Sequence, residues 1–432
     1  MSDNNVLPKN TICSECGFSK SYYDWCQNCQ SKLFQKNFAN WTSGNKTIDE
    51  FIQYTQLKAT ELYLVLEWIP YQQFKETKFL ARGGFGKVYK AIWKDGPIRN
   101  WDESKQDWSR KSNNSVVLKS FENSQEINDG FFVEITGYIE AMKKKDTVHG
   151  HCILQHYGIT RNPETDEYLM VLSYADKSSL RNFLETKTGR DMLWEMRNRI
   201  LLDVASGLKT IHLAGLVHRD FHSGNILIHD DCPLENVTSL VVFIGDFGLC
   251  KSEASTEKGT YGVIPYMAPE VLRGEKYTQA SDIYSFGIIM WELSTGQLPF
   301  SGRAHDVHLA MDICKGHRPP ISDWIPKCYS DLMCRCWDAN PSNRPSIIEI
   351  FDISMVGWVL KDFKKEEFQN SDELKRKLLA EGTQSNVGIH KDAVYKSRLL
   401  KYDGLPEPVN QLPESHQIEF TMPLDFINFI SI

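Results

Sequence analysis

The sequence has no long uninterrupted apolar stretch. Its most apolar segments, residues 62–71 and 286–293, are short and contain Glu67 and Glu292, whereas a helix that spans a membrane needs about 20 consecutive apolar residues. The N-terminus also lacks the apolar core of a secretory signal peptide. We therefore expect no membrane span, a location in the cytoplasm or nucleus, and cysteines that are thiols or metal ligands rather than disulfides.

An excess of basic residues is also absent. The chain carries 49 Lys and Arg against 56 Asp and Glu, which gives a net charge of −7. Because proteins that wrap nucleic acid normally have the opposite balance, we expect no nucleic-acid partner. Hydrophobic residues make up 41% of the 432 positions, which excludes a wholly disordered chain. The length predicts two to four domains, or one large two-lobed enzyme with appendages.

Four of the 11 cysteines are grouped near the N-terminus. They form two C-x2-C pairs separated by nine residues, namely Cys13, Cys16, Cys26 and Cys29. Two thiolates from each tight turn can together hold one Zn²⁺ ion tetrahedrally, with Trp25 as a cap beside the third ligand. The alternative is four free thiols in a flexible segment. We favour structural zinc and assign residues 1–40 to a zinc-ribbon-like module.

Residues 41–73 are predicted to be a linker with an amphipathic helix. Apolar residues recur at nearly helical spacing over residues 47–66, and Pro70 is expected to stop the helix. From Phe74 onward the pattern changes to short β-rich runs broken by Gly and Asp. A second, larger domain is therefore expected to begin at Phe74.

A glycine-rich turn over residues 80–89 lies between the first two predicted strands of this domain. Its glycines would let backbone amides approach phosphate oxygens, although a purely steric β-turn is an equal alternative on this evidence alone. Downstream, the apolar strand 116–119 ends in Lys119, and Glu134 lies in a predicted helix. A buried lysine must be paired, and a helical glutamate could orient its ammonium group toward phosphates.

Three further motifs follow in a fixed order: His218–Asn225 (HRDFHSGN), Asp246–Gly248 (DFG) and Ala268–Glu270 (APE). Together with the glycine-rich turn and the lysine, they make residues 74–353 resemble the protein kinase family. The resemblance implies a two-lobed α+β kinase fold, with a small β-rich N-lobe and a larger helical C-lobe. It also implies ATP and Mg²⁺ as ligands.

The resemblance assigns a role to each motif residue. Asp220 would accept the proton of the attacking hydroxyl, Lys119 would contact phosphates, and Asn225 and Asp246 would hold Mg²⁺. Leu172 would be the gatekeeper at the back of the adenine pocket. The implied ATP-binding positions are Leu80, Ala81, Gly83, Gly84, Phe85, Gly86, Val88, Lys119, Glu134, Leu172, Ser173 and Ala175.

Other positions would support or regulate the site. Arg219 would bind a phosphate on the activation segment, which runs from Asp246 to Glu270, and Glu270 would form a buried pair with Arg344. Asp282 would accept hydrogen bonds from the backbone of the catalytic loop. The leading phosphorylation sites of the activation segment are Thr256 and Thr260.

Two positions depart from the family pattern on the substrate side. His222 stands where serine/threonine kinases carry lysine, and Val263 stands at their usual threonine. The segment Tyr266–Glu270 most resembles the tyrosine-kinase-like branch, expanded in fungi, whose members mostly phosphorylate serine and threonine. We favour transfer of the γ-phosphate of ATP to Ser/Thr hydroxyls of protein substrates in intracellular signalling. A dual-specificity or tyrosine kinase and an inactive pseudokinase scaffold are the alternatives.

Two polar segments lie outside these motifs. The insertion over residues 96–115, with Trp101 and Trp108 among basic residues, is expected to be a solvated loop, and nucleic-acid stacking is the less favoured interpretation. Residues 354–432 are predicted to form a mostly exposed charged helix, within 361–381, and then a flexible tail. The zinc module and this tail are candidate sites for a protein partner.

Overall fold

The computed structural model describes residues 12–21, 25–82, 86–120, 129–144, 152–230, 240–255, 259–355, 365–381 and 388–410. The helices are α1 Gln27–Asn37, α2 Lys46–Lys58, α3 Asp129–Lys143, α4 Leu180–Leu184, α5 Lys187–Arg190, α6 Trp194–Leu213, α7 Pro269–Leu272, α8 Gln279–Thr295, α9 Val307–Cys314, α10 Lys327–Cys336, α11 Ile347–Asp352 and α12 Lys365–Ala380. The strands are β1 Glu67–Trp68, β2 Phe74–Arg82, β3 Lys87–Trp93, β4 Ile98–Asp102, β5 Asp107–Arg110, β6 Asn114–Ser120, β7 His156–Arg161, β8 Tyr168–Ser173, β9 Leu216–Val217, β10 Ile226–Asp230, β11 Leu240–Ile244, β12 Lys251–Ser252, β13 Thr260–Gly262 and β14 Arg398–Leu400.

A six-stranded sheet forms the N-lobe, in the order β1-β7-β8-β6-β3-β2. All neighbours are antiparallel except β1 and β7, which run parallel. Strand β8 (YLMVLS) has no alternation of apolar and polar residues because both of its faces are covered. Helix α3 covers one face, and its buried Phe131 and Ile135 pack with Met170 and Leu172 of β8. This arrangement places β6, β8 and α3 around one site.

The C-lobe is built around helices α6 and α8. Side chains are buried all along α8, from Ser281 to Thr295, as expected for a helix that is surrounded by protein. A capping box between Thr278 and Ser281 begins this helix, and Gly296 ends it in the left-handed conformation. The two-lobed α+β fold predicted from the sequence is thereby confirmed. Among the described residues, no helix is both long enough and apolar enough to cross a membrane.

The predicted linker helix over residues 47–66 is too long. Helix α2 ends at Lys58, and a 3₁₀ turn over Leu62–Leu64 and strand β1 follow it. Leu66 is buried because the chain folds back onto α2, where it joins Ile48 in one apolar cluster. Its backbone carbonyl accepts a hydrogen bond from Gln56 Nε2 at 2.8 Å. Burial of the later leucines therefore comes from tertiary packing, not from a continued helix.

The insertion over residues 96–115 is not a solvated loop, contrary to the expectation. Strands β4 and β5 pair as an antiparallel hairpin in which Trp101 lies opposite Trp108. Trp108 stacks on Phe34 of helix α1, with ring centroids 4.7 Å apart, and on Trp25 at 6.2 Å. The hairpin is therefore the element through which the N-terminal module packs on the N-lobe.

The C-terminal region is also more ordered than predicted. Helix α12 buries Phe368 and Ser371 against the C-lobe, and Ser371 Oγ accepts a hydrogen bond from Trp194 Nε1 at 2.6 Å. Residues 388–410 lie on the same lobe, where β14 pairs with β13. Only a few apolar residues carry this packing, and they lack periodicity, so the sequence pattern gives no sign of it.

Candidate active site

Lys119 is the centre of a buried charge cluster between the lobes. Its Nζ lies 3.0 and 2.9 Å from the two carboxylate oxygens of Glu134 and 2.8 Å from Asp246 Oδ1. Strand β6 and helix α3 supply the first pair, as the sequence predicted, and Asp246 follows strand β11. The cluster therefore draws its charges from three separate elements.

Two carboxylates share one ammonium group in this cluster, and their pKa values respond differently. Burial alone would lower the pKa of Lys119, but the charges of Asp246 and Glu134 outweigh it and raise this pKa. Burial opposes ionisation of Asp246, yet the Lys119 ammonium lowers the pKa of that carboxyl below its usual value. Glu134 is fully buried, and burial raises its pKa to about 7 despite Lys119. Lys119 and Asp246 thus carry their charges at neutral pH.

The catalytic loop, residues 218–225, runs between β9 and β10. Asp220 is 5% exposed, and its Oδ1 makes no hydrogen bond within the described residues. Asn225 Nδ2 donates to the backbone carbonyl of Asp220 at 2.9 Å. Arg219 and Asp246 both adopt positive φ, 69° and 60°, which costs a non-glycine residue about 1–3 kcal/mol and is typical of functional sites.

Asp282 of helix α8 holds the backbone of this loop by hydrogen bonds. Its carboxylate accepts hydrogen bonds from the backbone N–H groups of His218, at 2.8 Å, and Arg219, at 3.1 Å. His212 Nε2 lies 2.9 Å from the same carboxylate. A single buried side chain thereby fixes the backbone that leads into the strained Arg219.

Glu270 and Arg344 form a bidentate pair in the C-lobe. Arg344 Nη1 and Nη2 donate to the two Glu270 oxygens at 2.7 and 2.8 Å. Arg344 also donates to the backbone carbonyls of Ala280 and Asp338. Since both charged groups are buried and fully paired, this contact anchors the end of the activation segment.

Sequence reasoning missed a buried polar network beside the catalytic loop. Ser223 Oγ donates to Glu292 Oε1 at 2.8 Å, and Tyr266 OH donates to Glu292 Oε2 at 2.6 Å. The Arg181 guanidinium lies 5.8 Å from the centroid of the Tyr266 ring. Burial raises the pKa of Glu292. The partners come from α4, the catalytic loop and α8, and no local motif signals such a long-range contact.

His222 and Val263, the two departures from the family pattern, both lie at this network. They line one small cavity together with Asp220 and Tyr266. His222 Nδ1 accepts a hydrogen bond from the Gly224 N–H at 3.0 Å, while its Nε2 lies 3.6 Å from Asp220 Oδ1. The imidazole therefore occupies space directly beside Asp220.

The predicted nucleotide-binding positions lie on four strands and on helix α3, since Lys119 is on β6 and Glu134 is on α3. Leu80 and Ala81 are exposed near the end of β2, Val88 lies on β3, and Gly86 immediately precedes β3. Gly83, Gly84 and Phe85 lie outside the described residues. Leu172 is buried on β8, opposite Val117 of β6, and Ser173 and Ala175 follow it.

Among the regulatory positions, Thr260 begins β13, whereas Thr256 is outside the described residues.

Asp246 and Asn225 offer the oxygen ligands that Mg²⁺ prefers, a carboxylate and an amide carbonyl. They lie on adjacent segments because the Gly245 N–H donates to the backbone carbonyl of Asn225 at 2.9 Å. The Asn225 side chain directs its NH₂ group to Asp220, so its carbonyl oxygen is left for a ligand. The donor set fits a magnesium ion.

The four N-terminal cysteines converge as the spacing predicted. All four Sγ atoms lie within 4.8 Å of one another. The Sγ atoms of Cys13 and Cys29 are 3.7 Å apart, and those of Cys16 and Cys26 are 3.4 Å apart. A tetrahedral ion with metal–sulfur bonds of about 2.3 Å requires sulfur atoms roughly 3.8 Å apart. The cluster therefore fits Zn²⁺.

Comparison with known proteins agrees with this geometry. The family described as protein tyrosine and serine/threonine kinase matches residues 74–353. A probable serine/threonine-protein kinase of Dictyostelium discoideum is 30% identical over 66% of this chain and 28% of its own length. A serine/threonine/tyrosine-protein kinase of Arabidopsis thaliana is 33% identical over 46% of this chain and 49% of its own length.

A dual specificity protein kinase of D. discoideum is also similar, at 29% identity over 65% of this chain and 36% of its own length. The chain thus spans between about a quarter and a half of the length of these relatives.

Proposed function

Because the chain belongs to the protein tyrosine and serine/threonine kinase family, we propose that it transfers the γ-phosphate of ATP to hydroxyl groups of protein substrates. The observation that carries the proposal is the position of Lys119, whose Nζ contacts both Glu134 and Asp246. A scaffold that has lost catalysis has no need to bring two buried ionisable groups, Lys119 and Glu134, together with the partly buried Asp246. Their desolvation is costly unless each is paired.

In this proposal each residue has one task in phosphoryl transfer. Lys119, oriented by Glu134, binds phosphate oxygens of ATP. Asp220 accepts the hydroxyl proton of the substrate and orients that hydroxyl for in-line attack. Asn225 and Asp246 would hold Mg²⁺, which neutralises the negative charge of the phosphates. Asp282 acts through the loop backbone and is a positioning residue.

Serine and threonine are the proposed acceptor residues. Support comes from relatives whose names include serine/threonine-protein kinase, although a serine/threonine/tyrosine-protein kinase and a dual specificity kinase are also similar. Phosphoamino-acid analysis of a phosphorylated protein substrate distinguishes these specificities. We expect phosphoserine and phosphothreonine. Phosphotyrosine as the main product would contradict the preference.

The test of the activity is phosphate incorporation by the purified chain with ATP and Mg²⁺. Asp220→Asn keeps the size of the side chain but removes the proton acceptor, so incorporation into an added protein such as casein should fall by about 10²- to 10⁴-fold. Asp331→Asn, which alters a carboxylate paired with Lys327 on α10 outside the site, is the matched control and should retain activity. ATP binding without incorporation in any of the three proteins would instead support the pseudokinase scaffold.

The N-terminal module is proposed to hold structural Zn²⁺ through Cys13, Cys16, Cys26 and Cys29. The backbone N–H of Phe18 lowers the pKa of Cys16 to about 6, so at least one thiolate is available at neutral pH. Small modules with so little apolar core usually need such a metal to fold. We propose that this module, attached to the N-lobe through Trp108, also contacts a protein partner.

A further inference from the structure

The C-terminal segment adds a strand to the activation segment. Strand β14 pairs antiparallel with β13, in the register Gly262 with Arg398, Tyr261 with Leu399 and Thr260 with Leu400. Leu400 is buried at 6% exposure, whereas the neighbouring Leu399 is 48% exposed. An extended segment that pairs with a free strand edge and places alternate side chains in pockets is a general mode of peptide recognition.

The edge of β13 that pairs with β14 borders the catalytic loop. Gly262 and Val263 line the same small cavity as Asp220 and His222. A chain that pairs with Gly262 therefore passes beside the catalytic aspartate. The tail occupies the path that a protein substrate would need in order to bring a hydroxyl group to Asp220.

A second contact holds the tail near Gly224 of the catalytic loop. Arg181 Nη1 donates to the backbone carbonyl of Tyr395 at 2.7 Å. The same Nη1 atom lies 3.1 Å from the position that a Cβ atom on Gly224 would occupy. Tyr395 and Arg398 thus anchor the tail at two points, one near Gly224 and one at Gly262, with only Lys396 and Ser397 between them.

Ser397 is the hydroxyl-bearing residue of this short span. Its Oγ is buried and makes no hydrogen bond within the described residues, and the same holds for Asp220 Oδ1. A buried hydroxyl without a partner costs about 1–3 kcal/mol, so such groups are rare and call for an explanation. A role as the hydroxyl group that accepts phosphate from ATP would explain why this side chain has no hydrogen-bond partner.

We propose that Ser397 is an intramolecular phosphorylation site and that the tail is a substrate of its own kinase domain. The proposal rests on the proposed kinase activity. Ser397 Oγ attacks the γ-phosphorus of ATP, the bond between this phosphorus and the β,γ-bridging oxygen breaks, ADP leaves, and the hydroxyl proton passes to Asp220. The product is phosphoserine 397 and ADP, with no other reactant.

A mixing experiment tests whether transfer occurs within one chain. The full chain is incubated with ATP and Mg²⁺, and phosphate at Ser397 is quantified by mass spectrometry. The fraction modified per minute should not change over a hundredfold range of protein concentration. In a mixture with a tagged Asp220→Asn chain, Ser397 of the tagged chain should stay unmodified. Comparable modification of both chains would overturn the intramolecular assignment.

Two leucine variants test whether the pairing of β14 with β13 is needed for phosphorylation of Ser397. Leu400→Asp places a charge on the buried side and should reduce Ser397 phosphorylation by at least about tenfold, while Leu399→Asp, on the exposed side of the same strand, should leave it unchanged. Added casein competes with the tail for the same path, so its phosphorylation should not fall in either variant, and its persistence reports that both variants are folded. If casein is phosphorylated but Ser397 never is, the inference fails and the kinase activity stands. If neither is phosphorylated, the proposed function itself fails.

Discussion

At the scale of single residues, His156 shows how burial determines a charge state. The side chain is 2% exposed and stacks on Tyr138 with ring centroids 4.1 Å apart. Its Nδ1 donates to the Leu154 carbonyl at 3.1 Å, and its Nε2 is buried without a hydrogen bond in the described part of the chain. Burial, aided by the charge of Lys119, lowers the pKa of His156 to about 3. The imidazole is therefore neutral in the folded protein.

This depressed pKa makes stability depend on pH. The unfolded chain binds a proton at this histidine below about pH 6.5, whereas the folded chain does not, so the contribution is complete above pH 6.5 and is lost as the pH falls toward 3. Between pH 7 and pH 5 the wild type should lose about 2 kcal/mol more unfolding free energy than His156→Phe. Urea denaturation at the two pH values measures the difference.

The exposed His317 provides the control for this measurement. His317→Gln should follow the wild type at both pH values, since this side chain is exposed and is not packed in the core. Parallel pH profiles for the wild type and His156→Phe would show that His156 is not held neutral by the fold.

Residue pairs were predictable where a motif marks both members. The Lys119–Glu134 contact follows from a strand lysine and a helix glutamate, each with its own local signal. Arg181 and Tyr395 carry no such signal, although their contact places the tail at the catalytic loop. They are 214 positions apart, and only the folded chain shows that they meet.

At the scale of elements, the β4–β5 hairpin connects the N-terminal module to the N-lobe. Trp108 supplies the contact, because its ring stacks on both Trp25 and Phe34. Glu67 of strand β1 pairs with Arg110 of the hairpin and holds its base against the sheet. The hairpin thus has one end fixed to the sheet and one to the module.

Trp108→Ala should loosen the module without unfolding the kinase lobes. Removal of a large ring from an apolar contact commonly costs several kcal/mol, and this ring is only partly buried. We expect amide hydrogen exchange in α1, residues 27–37, to accelerate by at least about tenfold, as local opening becomes easier. Amides of α8 should exchange at their original rates.

Trp101→Ala is the matched control for the hairpin. Its ring contacts Trp108 edge-on at 5.3 Å, so its loss should accelerate exchange in α1 much less. Equal acceleration in both variants would mean that general weakening of the hairpin, and not the stack on Phe34, holds the module.

Elements with strong local patterns were predicted well, and those that depend on docking were not. The strand predicted at residues 116–119 lies within β6, Asn114–Ser120, because it is a continuous apolar run. Helix α12 was predicted as exposed, since its apolar positions are sparse, yet Phe368 packs on Trp194 at 5.4 Å. One aromatic contact is therefore enough to dock the helix on the C-lobe, although most of its residues are charged.

At the scale of the whole molecule, the cysteine cluster, the hairpin and the N-lobe form one continuous path of contacts. Trp25 precedes the third cysteine, donates from Nε1 to the Ala59 carbonyl at 2.9 Å, and stacks on Trp108. Loss of the metal should therefore also affect the packing of the hairpin, because Trp25 lies beside the cysteine cluster and stacks on Trp108 of the hairpin.

We expect the purified full chain to contain about one zinc ion, measured by elemental analysis. Cys29→Ser removes one of four ligands and should lower the zinc content to near zero and increase exchange of the α1 amides. Cys314→Ala is the matched control, since this buried thiol lies in the C-lobe outside the cluster. Zinc near zero in the wild type would remove the metal from the module.

The order of β13 and β14 along the chain also determines when they can pair during synthesis. Strand β14 follows β13 by about 140 residues, and a ribosome that adds 5–20 residues per second needs roughly 7–28 s to cover that distance. During this interval the edge of β13 is open, and an unpaired strand edge is a site for unwanted pairing with other chains. Each new molecule therefore has a brief period in which the edge of β13 is accessible before its own tail arrives, and the number of residues between the two strands determines how long that period lasts.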